Sequence, residues 1–271
     1  MQLFYTPDHA RVGDVIPYYE NGKFKLFYLK NWNPYFGSDK TFGWHLLTTK
    51  DLIHYESETA IGILGGTGCI IKVDGLYHLY YCVFEDQPQR QYVCHATSTD
   101  LTNWTKYPDE TFGPDESIYL LTDWRDPHVI WNEEEECWWM ILCAQSQGNT
   151  KRRGCVGLCK SADLHHWTCC EPLYAPQSSM SAYECPDLFY MNGWWYLVFS
   201  QFTDRFQTIY RMSRSCNGPW IRPKTDSFDG RAFYAAKTCS DGEHRYIFGW
   251  NPTRTQNTWN FDPDPTHEGY D

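Results

Sequence analysis

A turn pair followed by a run of aromatic and aliphatic residues recurs along the chain. The runs read ENGKFKLFY at 20–28, VDGLYHLYY at 73–81, MNGWWYLVF at 191–199 and DGEHRYIFGW at 241–250, with a degenerate copy, EEEECWWMILC, at 133–143. Asn-Gly and Asp-Gly favour tight hairpins because both central residues tolerate positive φ. The runs that follow are rich in Tyr, Trp, Phe, Ile and Val, which suit strands. A second element trails the hairpins: TTKDLIHYE at 48–56, TSTDLTNWT at 97–105, KSADLHHWT at 160–168 and, more loosely, SRSCNGPW at 213–220. Its Asp-Leu-x-x-aromatic turn is expected to close an outer strand. Gly22, Gly75, Gly193 and Gly242 mark four hairpins. With the degenerate copy between Gly75 and Gly193, the mean period is about 55 residues. Several strands per repeat at such a period mark propeller blades, so the pattern predicts an all-β, five-bladed β-propeller. No long segment carries apolar residues at helical spacing. Residues 1–271 read as a single domain. The tail from Pro252 to Asp271 is polar and lacks the Asp-Leu-x-x-Trp element. The fifth blade is therefore expected to be incomplete, either finished by the N-terminal strand or cut short of the natural end of the chain.

Composition narrows the partners. Aromatic residues make up 18% of the chain, with 13 Trp and 20 Tyr, enough to fill a large core. Lys and Arg number 23 against 34 Asp and Glu, a net charge of −11. So acidic a surface repels phosphate backbones and argues against nucleic acid. Neutral sugars fit better, since Trp and Tyr stack on their apolar faces. The N-terminus shows no basic region followed by an apolar run, which reads as a cytoplasmic protein. No apolar stretch reaches the roughly 20 residues that span a bilayer. The 12 cysteines lack a regular spacing. They read as buried free thiols in a reducing compartment, with zinc binding a minor alternative.

The first strands of the blades line a central channel, so residues near their starts converge at one mouth. Three carboxylates fit. Asp14 stands in Val-Gly-Asp-Val-Ile-Pro, Asp126 in Trp-Arg-Asp-Pro-His, and Glu184 in Tyr-Glu-Cys-Pro-Asp-Leu-Phe, each just before an apolar run. Glycoside cleavage needs a carboxylic acid at the leaving oxygen and a carboxylate at the anomeric carbon or at a water. Burial and a neighbouring carboxylate supply the raised pKa of the acid. Singly, each residue has a plainer reading: a turn cap for Asp14, an ion pair with Arg125 for Asp126, a surface acid for Glu184. At corresponding places in three repeats, the functional reading is stronger. Asp187 is a rival or helper to Glu184.

At these residues the sequence resembles glycoside hydrolase family 32, the fructan-cleaving enzymes, and the related five-bladed family 43. Trp-Arg-Asp-Pro at 124–127 is similar to the family's Arg-Asp-Pro motif, and Tyr-Glu-Cys-Pro-Asp-Leu-Phe at 183–189 to its Glu-Cys motif. The stretches from Arg231 and from Arg245 to Trp250 resemble its fifth blade. The resemblance implies Asp14 as nucleophile, Asp126 as transition-state stabiliser, Glu184 as acid/base and Arg125 as a holder of fructosyl hydroxyls. It implies cleavage of β-fructofuranosidic bonds with retention, with the Asp14 and Glu184 carboxyls about 5–5.5 Å apart, and neither a metal nor an organic cofactor. The chain departs from the family's Asn-Asp-Pro-Asn-Gly around Asp14, has Leu29 where the family has Gln, and carries Gly-Thr-Gly-Cys at 66–69 in place of Phe-Ser-Gly-Ser. No counterpart of the family's C-terminal β-sandwich is expected within these residues.

Thr67 is a candidate hydroxyl contact, and Trp32, Trp44 and Trp124 are candidates for the sugar subsite. For each tryptophan, core packing competes, because 13 Trp cannot share one pocket. His45, His95 and His128 read as strand or rim residues rather than metal ligands. A fructosyltransferase on the same site, an arabinose- or xylose-directed hydrolase like family 43, and a non-catalytic sugar-binding propeller remain as alternatives. Oligomeric state is not legible.

Overall fold

The computed structural model describes residues 5–7, 10, 12–30, 43–56, 58–203, 206–230 and 233–250. Five antiparallel sheets follow one another along the chain. The first holds β1 (Val12–Glu20), β2 (Lys23–Lys30), β3 (Gly43–Thr49) and β4 (Thr59–Ala60). The second holds β5 (Gly66–Val73), β6 (Leu76–Asp86), β7 (Gln89–Ser98) and β8 (Thr105–Lys106). The third holds β9 (Tyr119–Asn132), β10 (Cys137–Ser146), β11 (Gly154–Ser161) and β12 (Thr168–Tyr174). The fourth holds β13 (Tyr183–Met191), β14 (Trp194–Gln201) and β15 (Gln207–Ser213), and the fifth β16 (Tyr234–Ser240) and β17 (Arg245–Trp250). Strands run in sequence order within each sheet. The first strands touch in a closed circuit, β1 to β5, β5 to β9, β9 to β13, β13 to β16 and β16 back to β1. That circuit is the hub of a five-bladed propeller.

The hairpins form where the sequence places them. Asn21-Gly22, Asp74-Gly75 and Asn192-Gly193 all have positive φ at both residues, and the flanking pairs Glu20↔Lys23, Val73↔Leu76 and Met191↔Trp194 close two-residue turns. Asp241-Gly242 differs. Its strands close at Ser240↔Arg245 around a four-residue loop, and the Asp241 carboxylate accepts the backbone N–H groups of Glu243 and His244 at 2.8 and 2.6 Å. The acidic run after Asn132 makes a similar four-residue loop, with the Asn132 side chain accepting from Glu134 and Glu135.

The Asp-Leu-x-x-aromatic turn is one device used three times, leading out of the third strand of each of the first three blades. A hydroxyl, on Thr49, Ser98 or Ser161, accepts the N–H of the Asp and of the Leu that follow it. The Asp carboxylate then accepts the next two N–H groups. Satisfying four donors holds Leu52, Leu101 and Leu164 at φ of 61, 68 and 70°, a conformation that L residues otherwise avoid. In the fourth blade Cys216 replaces the Leu, and short bridges Ile209↔Ser227 and Met212↔Ile221 lie where a fourth strand would run.

Aromatic residues fill the wedges between blades. Trp44 packs with Phe27, Ile63 and Leu79; Trp124 with Tyr80, Tyr119 and Met140; Trp139 with Tyr183, Leu197 and Phe199. The strand Val12–Glu20 pairs with β2 and so belongs to the first blade, and the fifth blade has two strands among the described residues. The tail beyond Trp250 lies outside the described residues.

Candidate active site

Every hub strand carries a register break near its start. The breaks fall between Val12 and Val15, Gly66 and Gly68, Arg125 and His128, Glu184 and Asp187, and Tyr234 and Lys237. A bulge bends a strand and re-aims its side chains. Three of them share one conformation, with Asp126, Cys185 and Ala235 at φ of 57, 50 and 52°. The breaks therefore align Arg125, Glu184 and Tyr234 as one position, Asp126, Cys185 and Ala235 as the next, and His128, Asp187 and Lys237 as the residues just past the bulge.

Residues at the first position meet around the ring. Arg125 Nη2 donates to Glu184 Oε1 at 2.7 Å, and the Tyr234 hydroxyl donates to Glu184 Oε2. Arg125 is held on its other side by Asp123 Oδ1 at 2.8 Å and Gln91 Oε1 at 3.2 Å. Asp126 is buried, and its Oδ2 accepts the Cys185 N–H at 2.9 Å, which ties the third blade to the fourth. Burial pushes its carboxyl above the usual range, against the pull of the Arg125 guanidinium.

Asp14 lies in the bulge of β1 and accepts the Trp250 Nε1–H at 2.9 Å. Its carboxyl sits deep among protein atoms although the residue keeps some exposed surface. Burial, and then repulsion from Asp126, raise its pKa to about 7, with the Trp250 hydrogen bond opposing and Glu184 adding to the rise. The three carboxylates are thus close enough to act on one another electrostatically. They do not hold equivalent places, however. Glu184 stands before its bulge, Asp126 opens its bulge, and Asp14 is the second residue of its own. The expectation of corresponding places holds for the bulge region and not for the register, because two-residue bulges let neighbouring backbone positions face the same mouth.

Thr67 is the bulge residue of β5, buried between Gly66 and Gly68, and its hydroxyl has no protein hydrogen-bond partner. A Cβ on Gly68 would lie 1.7 Å from the Tyr80 carbonyl oxygen, so this close approach requires glycine. Trp44 and Trp124 are elsewhere. Both are buried in the wedges between blades, Trp44 donating to the Gly65 carbonyl at 3.2 Å. Neither presents a ring face at the mouth, because interblade packing claims it. Trp124 contributes its backbone N–H, which binds Gln91 Oε1 at 2.8 Å and so fixes the strand beside Arg125. Trp32 lies outside the described residues. Asp187 is no rival to Glu184. It is 1% exposed, past the bulge, and accepts from the N–H and hydroxyl of Thr238 at 2.6 and 2.9 Å.

Sequence reasoning missed Tyr234, Trp250, Gln91 and Lys237. Lys237 is buried and donates to the Pro186 carbonyl at 3.1 Å, a cation set just past the bulges. Aligning Arg-Asp-Pro-His, Glu-Cys-Pro-Asp and Tyr-Ala-Ala-Lys, the segments at 125–128, 184–187 and 234–237, would have found Tyr234 and Lys237. Among the described residues, one group of side chains could hold a metal ion: His95, Glu110 and His165, on the third strand and turns of neighbouring blades and not at the mouth.

A sequence model of the glycosyl hydrolases family 32 N-terminal domain matches residues 15–268. The chain belongs to this family. The match begins one residue after Asp14 and includes Asp126 and Glu184. The levanbiose-producing levanase of Bacillus subtilis (strain 168) is 28% identical over 258 residues, covering 87% of this chain and 45% of the relative. The sucrose-6-phosphate hydrolase of Escherichia coli is 27% identical, covering 85% and 52%. Among solved structures, a mutant Bombyx mori GH32 beta-fructofuranosidase in complex with sucrose is 25% identical with a TM-score of 0.66, covering 89% of this chain and 55% of that one. The exo-inulinase of Aspergillus awamori, at 17% identity and a TM-score of 0.70, covers 100% and 62% and shows the common fold. The family 32 chain spans about half the length of these curated relatives.

Proposed function

We propose that residues 12–250 form the catalytic propeller of a retaining glycoside hydrolase that cleaves β-fructofuranosidic bonds in fructose-containing saccharides. The observation that carries this reading is the meeting of Asp14, Asp126 and Glu184 at the bulged mouth of a family 32 propeller, with Arg125 and Tyr234 bonded to Glu184. The relatives named as levanase, sucrose-6-phosphate hydrolase and beta-fructofuranosidase support the substrate class.

In this reading a carboxylate oxygen of Asp14 attacks the anomeric carbon while the bond to the leaving oxygen breaks. Glu184 gives that oxygen its proton. Glu184 then takes a proton from water, whose oxygen attacks the same carbon and displaces Asp14. Asp126, fixed by the Cys185 N–H, faces the positive charge that develops on the sugar. Arg125 and Thr67, whose hydroxyl has no protein hydrogen-bond partner, would bind ring hydroxyls. The site needs no metal for these steps. We further propose a cytoplasmic setting, which the 12 free cysteines support. Among the described residues no helix is long and apolar enough to cross a membrane.

Proton NMR of the first sugar released from sucrose, inulin or levan tests the stereochemistry. The β anomer is expected first. The α anomer would replace retention with inversion, and no release from any of the three would remove the fructan reading.

A further inference from the structure

Three side chains meet between the second and third blades, outside the hub. His95 lies on β7, Glu110 ends the 3-10 turn Pro108–Glu110, and His165 follows Leu164 in the repeated turn of the third blade. The Glu110 carboxylate is shared. Its Oε2 lies 2.6 Å from His95 Nδ1, and its Oε1 lies 2.9 Å from His165 Nδ1. One donor atom from each residue falls within 4.8 Å of the other two. The proposed sugar chemistry uses none of them.

We propose that His95, Glu110 and His165 form a zinc site that clasps the second blade to the third. Two imidazoles and a carboxylate are a recurrent zinc donor set, with a water in the fourth place. Bonds of 2.0–2.1 Å in a tetrahedron separate donors by about 3.3 Å. The donor pairs at 2.6 and 2.9 Å therefore need to open by about 0.7 and about 0.4 Å. The elements can yield, since Glu110 and His165 sit on turns and the side chain of His165 is 38% exposed, giving the ion a path in.

The ligand on the strand is held ready. The His95 ring is stacked between Tyr80, at 4.5 Å between centroids and 6° between planes, and Tyr107, at 5.2 Å and 27°. Its second nitrogen, Nε2, lies 3.0 Å from His78 Nδ1. An ion on His95 Nδ1 leaves the proton on Nε2, which donates to His78. This outer hydrogen bond fixes the tautomer and ring direction that ligating histidines require. The turn that carries His165 is itself anchored to the second blade, where the Tyr80 hydroxyl donates to the Leu164 carbonyl at 2.6 Å. Imidazole with carboxylate suits zinc better than magnesium or calcium, which prefer all-oxygen shells.

The test is calorimetric titration of the EDTA-stripped, dialysed chain with zinc chloride, paired with thermal melts with and without zinc. Wild type is expected to bind one equivalent and to melt several degrees higher at saturating zinc. His165→Ala, in an exposed turn, and Glu110→Gln should each weaken binding roughly tenfold or more. His166→Ala, an exposed neighbour bonded to Asp163, should bind as wild type does. No zinc binding by wild type overturns the proposal. So does equal affinity in His165→Ala, which would place the ion elsewhere, for example on the cysteines. If Glu110→Gln fails to fold, His165→Ala alone decides.

Discussion

Arg125 and Glu184 hold the same register position on neighbouring hub strands, and their side chains meet at 2.7 Å. Tyr234 holds that position on the next strand and bonds the other Glu184 oxygen. Three successive blades thus place a base, an acid and a phenol side by side, with Glu184 fixed from both flanks. Such fixing removes rotamer freedom from the group that must pass a proton along a defined line.

Loss of either flank should therefore slow chemistry more than it weakens binding. Tyr234→Phe removes one donor and is expected to lower kcat roughly tenfold to a hundredfold with little change in KM. Arg125→Lys keeps the charge but cannot reach Asp123, Gln91 and Glu184 at once. It should cost about a hundredfold or more in kcat/KM. Steady-state kinetics on sucrose separate the two effects.

Asp14 makes folding stability depend on pH. Its ordinary value is 3.8 and its folded value about 7. Below about 4 both the folded and unfolded forms carry the proton. Between about 4 and 7 the folded protein keeps a proton that the unfolded chain has lost, so stability falls as pH rises and the full loss is present above about 7. The loss attributable to this group is at most about 4 kcal/mol. Asp14→Asn should flatten the curve and be more stable than wild type at pH 8, as urea unfolding across pH would show. A nucleophile must be ionised, so wild-type kcat/KM should climb with pH through about 7.

The bulge conformation is itself testable at Ala235, buried and at a φ of 52°. A non-glycine residue held there costs roughly 1–2 kcal/mol. Ala235→Gly is expected to stay within about 1 kcal/mol of wild type. Ala235→Val, β-branched in a close-packed place beside Phe206, should lose about 2 kcal/mol or more. Denaturant midpoints compare them.

The repeated turn predicts matched costs in different blades. Ser98 and Ser161 are both buried and each accept two backbone N–H groups. Ser98→Ala and Ser161→Ala should each destabilise by about 1–2 kcal/mol, because two donors lose their acceptor. Calorimetric melts of the two variants should agree closely.

Blade number and hairpin positions were legible because Asn-Gly turns and Asp-Leu-x-x-Trp turns are local devices, each satisfied by residues within a few positions. As candidates, Asp126 and Glu184 could be picked out beside motifs at strand starts, and Asp14 by its position before an apolar run alone. What stayed hidden depends on long-range register. Tyr234 reaches Glu184 across 50 positions and Trp250 reaches Asp14 across 236. Trp44 and Trp124 misled for the opposite reason. Their nearness to the motifs in sequence suggested the pocket, but strand alternation turns them into the wedges between blades. The His95–Glu110–His165 group has no motif spacing at all, since the fold assembles it from two blades.

Fructose release from sucrose, inulin and levan, measured for wild type beside Asp14→Asn and Glu184→Ala, tests the central claim most directly. The account predicts release by wild type and a fall of several orders of magnitude in both variants, each folded by circular dichroism. Wild-type release that survives either substitution would contradict the site, and a silent wild type would contradict the reaction.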